Sequence, residues 1–457
     1  MAQKSLIQQI LPLSLILASR FFGLFIVMPL LSLHALGMQE TSPVLIGIAI
    51  GGYALTQVIF QVPFGFLSDK IGRKKIIALG LIVFALGSII CAMSGDDIYM
   101  LIFGRLLQGA GAIGGVVSAM IADLANEEKR TKAMAIMGAT ISLSFTAALI
   151  LGPILGAKYG VDLLFYLTFI LAILGIFVLL FFVPNTPKIS YSFQASKTTY
   201  NHIFKNKNLQ IMNLTNFLQK SLMTLAFLII PIALVEGFNL PKENLSYVYI
   251  PAGILGFLAM APAAIIAEKK GRFKSVLVVG ILFFVIAYLL MLSPNVYVFC
   301  AGIVIFFIGF SVHEPIMQSL ASRYCKAHQK GSALGIFTSF GYLGSFLGAL
   351  LGGYLYEFFG FLSISVVVVI ACFLWILTLK FLANPASQKN LYLPLKEDTT
   401  SENLEQIVEI YGIIEWYINE NEKIAIIKYD KHLTSQEEIL LFLQNNLSQY
   451  FHSLKLG

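Results

Sequence analysis

GFLSDKIGRKK, residues Gly65 to Lys75, is a charged segment between two long apolar stretches. PVLIGIAIGGYALTQVIFQVPF, Pro43 to Phe64, precedes it, and IIALGLIVFALGSIICAM, Ile76 to Met93, follows it. A helix needs roughly 20 apolar residues to cross a bilayer, and each flanking stretch is close to that length. The charged segment therefore predicts a loop between two membrane-spanning helices.

The composition extends this interpretation to the whole chain. Of the 457 residues, 58% are hydrophobic and 12% are charged, whereas an ordinary soluble domain is about one quarter charged. The first apolar run, Leu6 to about Leu33, is too long for a signal-peptide core. We count twelve spans, centred near Phe21, Ala54, Phe84, Gly111, Ser144, Ala172, Met223, Gly256, Phe284, Gly309, Gly344 and Val369.

Basic residues are concentrated in alternate loops. The loops after even-numbered spans carry Lys70, Arg73, Lys74, Lys75, Lys129, Arg130, Lys132, Lys269, Lys270, Arg272, Lys274, Arg323, Lys326 and Lys330, whereas the opposite loops carry mainly acids such as Glu40, Asp96, Asp97, Asp162 and Glu357. By the positive-inside rule, both termini are predicted to be cytoplasmic. This distribution fits membrane topology better than nucleic-acid binding, so no nucleic-acid partner is expected.

The sequence contains an internal repeat. PFGFLSDKIGRKK from Pro63 aligns with PAAIIAEKKGRFK from Pro262. Such a repeat predicts two six-helix halves of the same orientation. We expect an N-terminal half over residues 1–184, a cytoplasmic linker over 185–207 and a C-terminal half over 208–383.

The composition changes again after the twelfth span. Residues 396–457 hold 11 acidic and 5 basic residues. Residues 390–457 show strand and helix patterns, which predict a small cytoplasmic α+β domain with a ferredoxin-like sheet. This domain could dock on the basic loops containing Lys74, Arg130 or Lys205, or it could equally serve folding or bind a partner.

The charged loop has a second interpretation beyond topology. Gly65 would allow close helix contact, Asp69 could face the N-terminus of a neighbouring helix, and Gly72 could turn the chain. Arg73 could then reach an acid across the gap, and Asp123 is the nearest candidate. A plain topogenic loop would account for the lysines alone, but not for an acid, a glycine and an arginine that recur in both halves.

Five ionisable residues fall inside predicted spans, where they are costly: Arg20, Arg105, Lys220, His313 and Glu314. Arg105 shares a helix face with Gln108. Glu314 is either permanently paired with a cation or a proton carrier whose pKa follows its surroundings. His313 could share that task, although a packing role is favoured for it.

These charges leave the predicted cavity net positive. Arg20, Arg105 and Lys220 face a single acid, Glu314. An anionic or zwitterionic amphiphile is therefore the expected substrate, together with protons. In the alternative, Arg105 is mainly structural and only Lys220 faces the cavity.

Four segments resemble the major facilitator superfamily. GFLSDKIGRKK resembles its loop signature, and RLLQGAGA, Arg105 to Ala112, resembles its fourth-helix motif. LGPILGA, Leu151 to Ala157, resembles the antiporter motif, with Gly152, Pro153 and Gly156 in place and Ala157 instead of the last glycine. GLFIVMP, Gly23 to Pro29, is similar to the first-helix motif of drug/proton antiporters, although Ser32 replaces a second proline.

The resemblance implies an all-α membrane protein of the major facilitator fold that works by alternating access. It also implies a latch, which holds the outward-facing state and consists of Gly65, Asp69, Gly72, Arg73 and Asp123, with Asp69 docking at Gly331 and Ser332. In the second half, Glu268, Gly271 and Arg272 would form a weaker copy.

The resulting functional prediction is a proton-coupled exporter in a bacterial inner membrane, working as a monomer. A symporter or uniporter of an anionic solute and a membrane sensor remain alternatives. No phosphate-binding loop or catalytic triad is visible, and His432 and His452 are isolated. We therefore expect neither an enzyme nor a metal or other cofactor.

Overall fold

The computed structural model describes residues 6–124, 127–184, 204–324, 330–383, 388–396, 399, 402–419, 423–431 and 433–452. Most of the predicted linker, residues 185–207, lies outside them, as do Arg130's side chain and His432. The chain divides into two compact units, a helical one that ends at Leu382 and a C-terminal one from Ala383. Each is described by itself.

The helical unit contains twelve spans within the described residues. Eleven helices are long and apolar enough to cross a membrane, and the last of them is 48 residues long, more than one crossing requires. Gly360 interrupts that helix with φ 71°, so it holds two spans. In order, the spans are Ile10–Leu36, Pro43–Ile71, Arg73–Ala92, Ile98–Leu124, Ile136–Tyr159, Val161–Phe182, Lys207–Gly237, Lys242–Lys270, Phe273–Leu290, Val296–Tyr324, 332–359 and 361–379.

Local sequence signals explain where the spans that shape the site begin and end. Span 2 starts after Ser42, whose hydroxyl accepts a hydrogen bond from the Leu45 amide at 3.3 Å. Span 2 ends at Gly72 with φ 112°, and span 8 ends at Gly271 with φ 66°. Glycine adopts these backbone angles without strain, which explains why a glycine recurs in both loops.

Spans 3 and 4 are packed backbone to backbone. A Cβ atom on Gly87 would lie 2.5 Å from the backbone nitrogen of Gln108, and a Cβ atom on Gly104 would lie 2.5 Å from the sulfur of Cys91. Small residues permit such close approach between helices in a membrane. This packing positions Arg105 and Gln108 in the middle of the N-terminal half.

In both halves, an equivalent lysine caps the C-terminal end of the last span. Lys74 Nζ donates to the carbonyl oxygens of Leu180 at 3.1 Å and Val183 at 2.9 Å. Lys274 Nζ donates to the carbonyl oxygens of Lys380 at 2.6 Å and Leu382 at 3.4 Å. A cation at a helix C-terminus satisfies carbonyl groups that have no partner within the helix. The repeat is therefore present in three dimensions, 200 residues apart at this lysine.

The C-terminal unit is a small α+β fold, as predicted. Strands β1 (Gln388–Pro394), β2 (Ile413–Asn419) and β3 (Ile424–Asp430) form an antiparallel sheet in the order β1-β3-β2. Residues Glu402–Glu409 form a 3-10 helix. The ferredoxin-like topology stays a prediction, because residues after His452 lie outside the described chain.

One helix, Gln436–Asn446, covers the core of this unit. Ser435 caps it by accepting from the Glu438 amide at 3.1 Å, while the Ser435 amide donates to the Glu438 carboxylate at 2.9 Å. This reciprocal pair is a capping box. The bond from the Ser435 amide and a second bond from the Thr434 hydroxyl hold the pKa of Glu438 below its ordinary value.

We predict that Ser435→Ala loosens this helix by about 1 kcal/mol, the usual cost of losing such a cap. Because the folded-state pKa of Glu438 is lowered, its stabilising effect is full at neutral pH and disappears as the pH falls through that pKa. Amide hydrogen exchange of residues 436–446 in the full-length protein measures both effects. Ser448→Ala, beyond the helix end, is the control, and equal exchange in both variants would contradict the cap.

Candidate functional site

The two halves touch at one end of the bundle, which we call the acidic end because its loops carry Glu40, Asp96, Asp162 and Glu357. A Cβ atom on Gly47 of span 2 would overlap the carbonyl oxygen of Ala349 of span 11, and one on Gly353 would overlap that of Pro43. The Val44 amide also donates to the Glu357 carboxylate at 3.3 Å. Spans 2 and 11 are therefore in direct backbone contact there.

The opposite end, which we call the basic end, carries the loops around Gly72 and Gly271. A Cβ atom on Gly65, Gly138 or Gly335 would meet no heavy atom of the described chain within 4 Å. The side chain of Asp69 is 62% exposed. Among the described residues, the halves are in contact at the acidic end, and the chain leaves open space around these three glycines at the basic end.

The first charged loop forms an ion-pair cluster around Arg73. Arg73 Nε donates to Asp123 at 2.9 Å, and Nη1 donates to the Ser68 hydroxyl at 2.8 Å. Nη1 also lies 2.7 Å from the carboxylate of Asp69, four residues earlier across the turn at Gly72. The side chains of Arg73 and Asp123 are 14% and 6% exposed, so this pair is largely shielded from water. The predicted docking of Asp69 on Gly331 and Ser332 stays a prediction.

The second charged loop also forms an ion pair, with a different partner. Glu268 forms an ion pair with Arg323 of span 10, and the Ser319 hydroxyl donates to the same carboxylate at 2.6 Å. Arg323 lies 200 residues after Asp123, so a base in the second half occupies the position of an acid in the first, while Glu268 keeps the acid of Asp69. Sequence reasoning assigned the base to Arg272 and missed Arg323.

The antiporter motif is a packing element in span 5. A Cβ atom on Gly152 would overlap the Ile26 carbonyl oxygen, and one on Gly156 would collide with Leu30 and Leu164. Pro153 lies inside the same helix, Glu127–Tyr159. These residues let span 5 approach span 1 closely.

Arg105 is fully buried and tied to the backbone of its own half. Its Nε and Nη2 donate to the carbonyl oxygens of Ala49 at 3.2 Å and Ile50 at 3.4 Å, and its Nη1 donates to Gln108 at 2.7 Å. Gln108 in turn donates to the Ser88 hydroxyl at 2.9 Å. This network joins spans 2, 3 and 4, and it supports the alternative in which Arg105 is structural.

Lys220 and Glu314 meet in the C-terminal half. They form a direct ion pair between spans 7 and 10, and Gln219 Nε2 donates to the same carboxylate at 3.1 Å. Lys220 Nζ also lies 4.9 Å from the centroid of the Phe310 ring. The two charged side chains are 23% and 27% exposed, so water reaches both of them.

His313 packs in the core of the C-terminal half rather than beside Glu314. It is fully buried, and its Nε2 lies 2.8 Å from the Leu277 carbonyl oxygen. Its ring makes edge contacts with Phe284 and Trp375. These contacts support a packing role.

Arg20 is buried in span 1 beside an amide. Its Nη2 donates to Gln57 Oε1 at 2.6 Å, and its guanidinium lies 5.2 Å from the centroid of the Phe84 ring. Sequence reasoning missed Gln57, which is fully buried. The available signal was a lone amide in the apolar run ALTQVIF of span 2.

We predict that Asp123→Asn lowers the melting temperature of the purified protein much more than Asp69→Asn. The first change removes a shielded ionic hydrogen bond, which contributes about 1.5 to 3 kcal/mol. The second removes an ion pair whose carboxylate is exposed, which contributes about 1 kcal/mol or less. Thermal denaturation of both variants in detergent measures the difference, and equal losses would contradict the shielded pair.

The comparisons with known proteins agree on one family. The model of the Major Facilitator Superfamily matches residues 13–275 and 214–415. The inner membrane transport protein YajR of Escherichia coli (strain K12) is 33% identical over 433 residues, which cover 93% of this chain and 95% of that protein. The quinolone resistance protein NorA of Staphylococcus aureus (strain MSSA476) is 28% identical over 74% of this chain and 87% of its own.

Two solved structures share the fold. The human organic anion transporter MFSD10 (TETRAN) superposes with a TM-score of 0.64 at 20% identity, over 82% of this chain and all of its own. The nucleoside transporter NupG superposes with a TM-score of 0.63 at 14% identity, over 80% of this chain and 99% of its own. The predicted family is thereby confirmed: the chain is a multi-pass membrane transporter that belongs to the Major Facilitator Superfamily.

Proposed function

We propose that this transporter is proton-coupled and exports small amphipathic compounds by alternating access of its two halves. The observation that carries the proposal is the ion pair between Lys220 and Glu314. It lies in the interior of spans 7 and 10, where an ionisable group is retained only at considerable cost.

Protonation of Glu314 would change the forces between these two spans. The ionised carboxylate binds Lys220 and accepts from Gln219. The neutral acid loses the ionic attraction but keeps a hydrogen-bonding partner, so the spans can separate at a moderate cost. Because both side chains are partly exposed, the carboxylate of Glu314 can gain and lose a proton.

Two observations support export as the direction of transport. The antiporter motif packs span 5 onto span 1, and one relative is called a quinolone resistance protein. We also place both termini in the cytoplasm, so that the basic end faces inward. We place the protein in the inner membrane, acting as a monomer.

Proton-coupled symport of an anionic solute is the second candidate function. The observation that favours it is the buried guanidinium of Arg20, which has no carboxylate partner among the described residues. A bound anion attracts a proton to Glu314, so anion and proton would travel together. A bound cation repels that proton, which is the linkage that antiport requires.

We predict that proton flux through the protein depends on Glu314. The assay uses proteoliposomes with a pH-sensitive dye inside, a proton gradient, and a membrane potential clamped by potassium and valinomycin. The probes are naphthalene-1-sulfonate, tetraphenylphosphonium and 3-(1-pyridinio)propane-1-sulfonate, which keep their charges at every pH and carry no protons themselves. Entry of a substrate makes the lumen alkaline for an antiporter and acidic for a symporter.

Glu314→Gln should abolish the substrate-triggered proton movement. Glu357→Gln is the matched control, because it removes a carboxylate at the acidic end and leaves the ion pair intact. Proton movement that persists in Glu314→Gln, or that no probe triggers in the wild type, would contradict proton coupling through this residue.

A further inference from the structure

We propose that Arg20 and Gln57 form a subsite for the oxoanion group, a carboxylate or a sulfonate, of an aromatic compound that the protein transports. The proposal names the substrate class of the transporter. It rests on the proposed transport of small amphipathic compounds, and it does not depend on proton coupling.

The subsite presents hydrogen-bond donors only. Of the five N–H groups of an arginine, one on Nη2 of Arg20 donates to Gln57 Oε1. Nε and Nη1 have no partner in the part of the chain that the structure describes, and neither has the Gln57 amide Nε2. The fork of Nη1 with Nη2, completed by the amide, matches two oxygens of a planar or tetrahedral anion.

Aromatic rings orient the guanidinium toward such a ligand. The centroids of the Phe21 and Phe84 rings lie 5.9 Å and 5.2 Å from the guanidinium carbon of Arg20. Cation–π contacts stabilise the charge but leave the in-plane N–H groups unsatisfied. Arg20 is only 2% exposed, and a buried cation without hydrogen-bond acceptors is strongly disfavoured. An anion removes that imbalance.

The subsite lies where the halves meet. Tyr53 of span 2 and Tyr342 of span 11 are both close enough to interact electrostatically with Arg20. Tyr53 also interacts with Ser345 of span 11. A ligand at Arg20 therefore contacts the moving boundary between the halves, as a transported compound must.

The repeat relates this subsite to the proton-binding pair. Lys220 lies 200 residues after Arg20, the same separation that relates Lys74 to Lys274 and Asp123 to Arg323. The two halves thus carry a cation at equivalent positions of spans 1 and 7. In the C-terminal half Glu314 neutralises the cation, whereas in the N-terminal half Gln57 binds it and leaves its charge free.

A row of phenylalanine rings connects the two cations. Phe21 beside Arg20 stacks on Phe25 at 5.9 Å, and Phe25 meets Phe145 edge-on at 5.0 Å. Phe145 contacts Phe310 of the other half at 5.3 Å, and Phe310 lies against Lys220. An aromatic body can pack along this row while its anionic group binds Arg20. The row explains why the expected ligand is an aromatic amphiphile.

The test compares two probes of the same shape and different charge. Naphthalene-1-sulfonate and the neutral naphthalene-1-sulfonamide are titrated calorimetrically into the full-length protein in lipid nanodiscs, at one pH and without any gradient. We expect the sulfonate to bind at least tenfold more tightly than the sulfonamide, because the ionic hydrogen bonds are made only by the anion.

Gln57→Glu is the decisive variant, because it supplies Arg20 with an internal carboxylate. It should weaken sulfonate binding tenfold or more, leave sulfonamide binding unchanged, and preserve or raise the melting temperature. Gln61→Glu, one turn further along span 2, is the control for an added charge and should bind the sulfonate almost as the wild type does. Arg20→Lys keeps the charge but loses the fork, and it should also weaken sulfonate binding about tenfold.

Equal binding of the two probes to the wild type would overturn the subsite, and so would sulfonate binding that Gln57→Glu and Arg20→Lys leave unchanged. Neither outcome bears on Glu314. Conversely, loss of proton coupling in liposomes would leave a charge-selective subsite standing, so the two proposals fail separately.

Discussion

The cost of holding charge inside a membrane governs how this protein is built. Each buried cation needs a partner, and the three cations in the spans meet that need in different ways. Arg105 uses backbone carbonyls and Gln108, and Lys220 uses Glu314. Among the residues that the structure describes, Arg20 has only the amide of Gln57 as a hydrogen-bond acceptor. A buried cation whose hydrogen bonds are all accepted by fixed groups has a structural role. A cation whose partner can be protonated, or whose N–H groups lack acceptors, forms a site that can respond to a proton or a ligand.

In the proposed proton-coupled mechanism, the charge of the ligand sets the direction of coupling. A pure anion at Arg20 raises the proton affinity of Glu314, which favours joint movement of anion and proton. A compound that also carries a cation directed at Glu314 lowers that affinity, so binding expels the proton, as antiport requires. Export of an oxoanion compound by antiport therefore calls for a zwitterion, whereas import by symport calls for a plain anion. The same residues serve both cases.

The sequence predicted the spans and the first latch because hydropathy, loop charge and the glycine at a turn leave a local signal. Arg73 and Asp123 follow from one motif, and they do pair. Contacts that depend on how a helix is rotated about its own axis could not be predicted from the sequence. Glu268 pairs with Arg323 rather than with the nearby Arg272, and Gln57 turns toward Arg20, because apolar content on all sides of a span does not tell which face meets which neighbour.

The electrostatic link between Arg20 and Glu314 is tested most directly by counting the protons that the protein takes up or releases when a ligand binds. Naphthalene-1-sulfonate is added to the purified protein in a weakly buffered solution with a pH-sensitive dye. We expect the wild type to take up protons, because an anion at Arg20 stabilises the neutral form of Glu314. Glu314→Gln should bind the probe without proton uptake. Binding to the wild type with no uptake, or with proton release, would contradict the electrostatic link between the two sites.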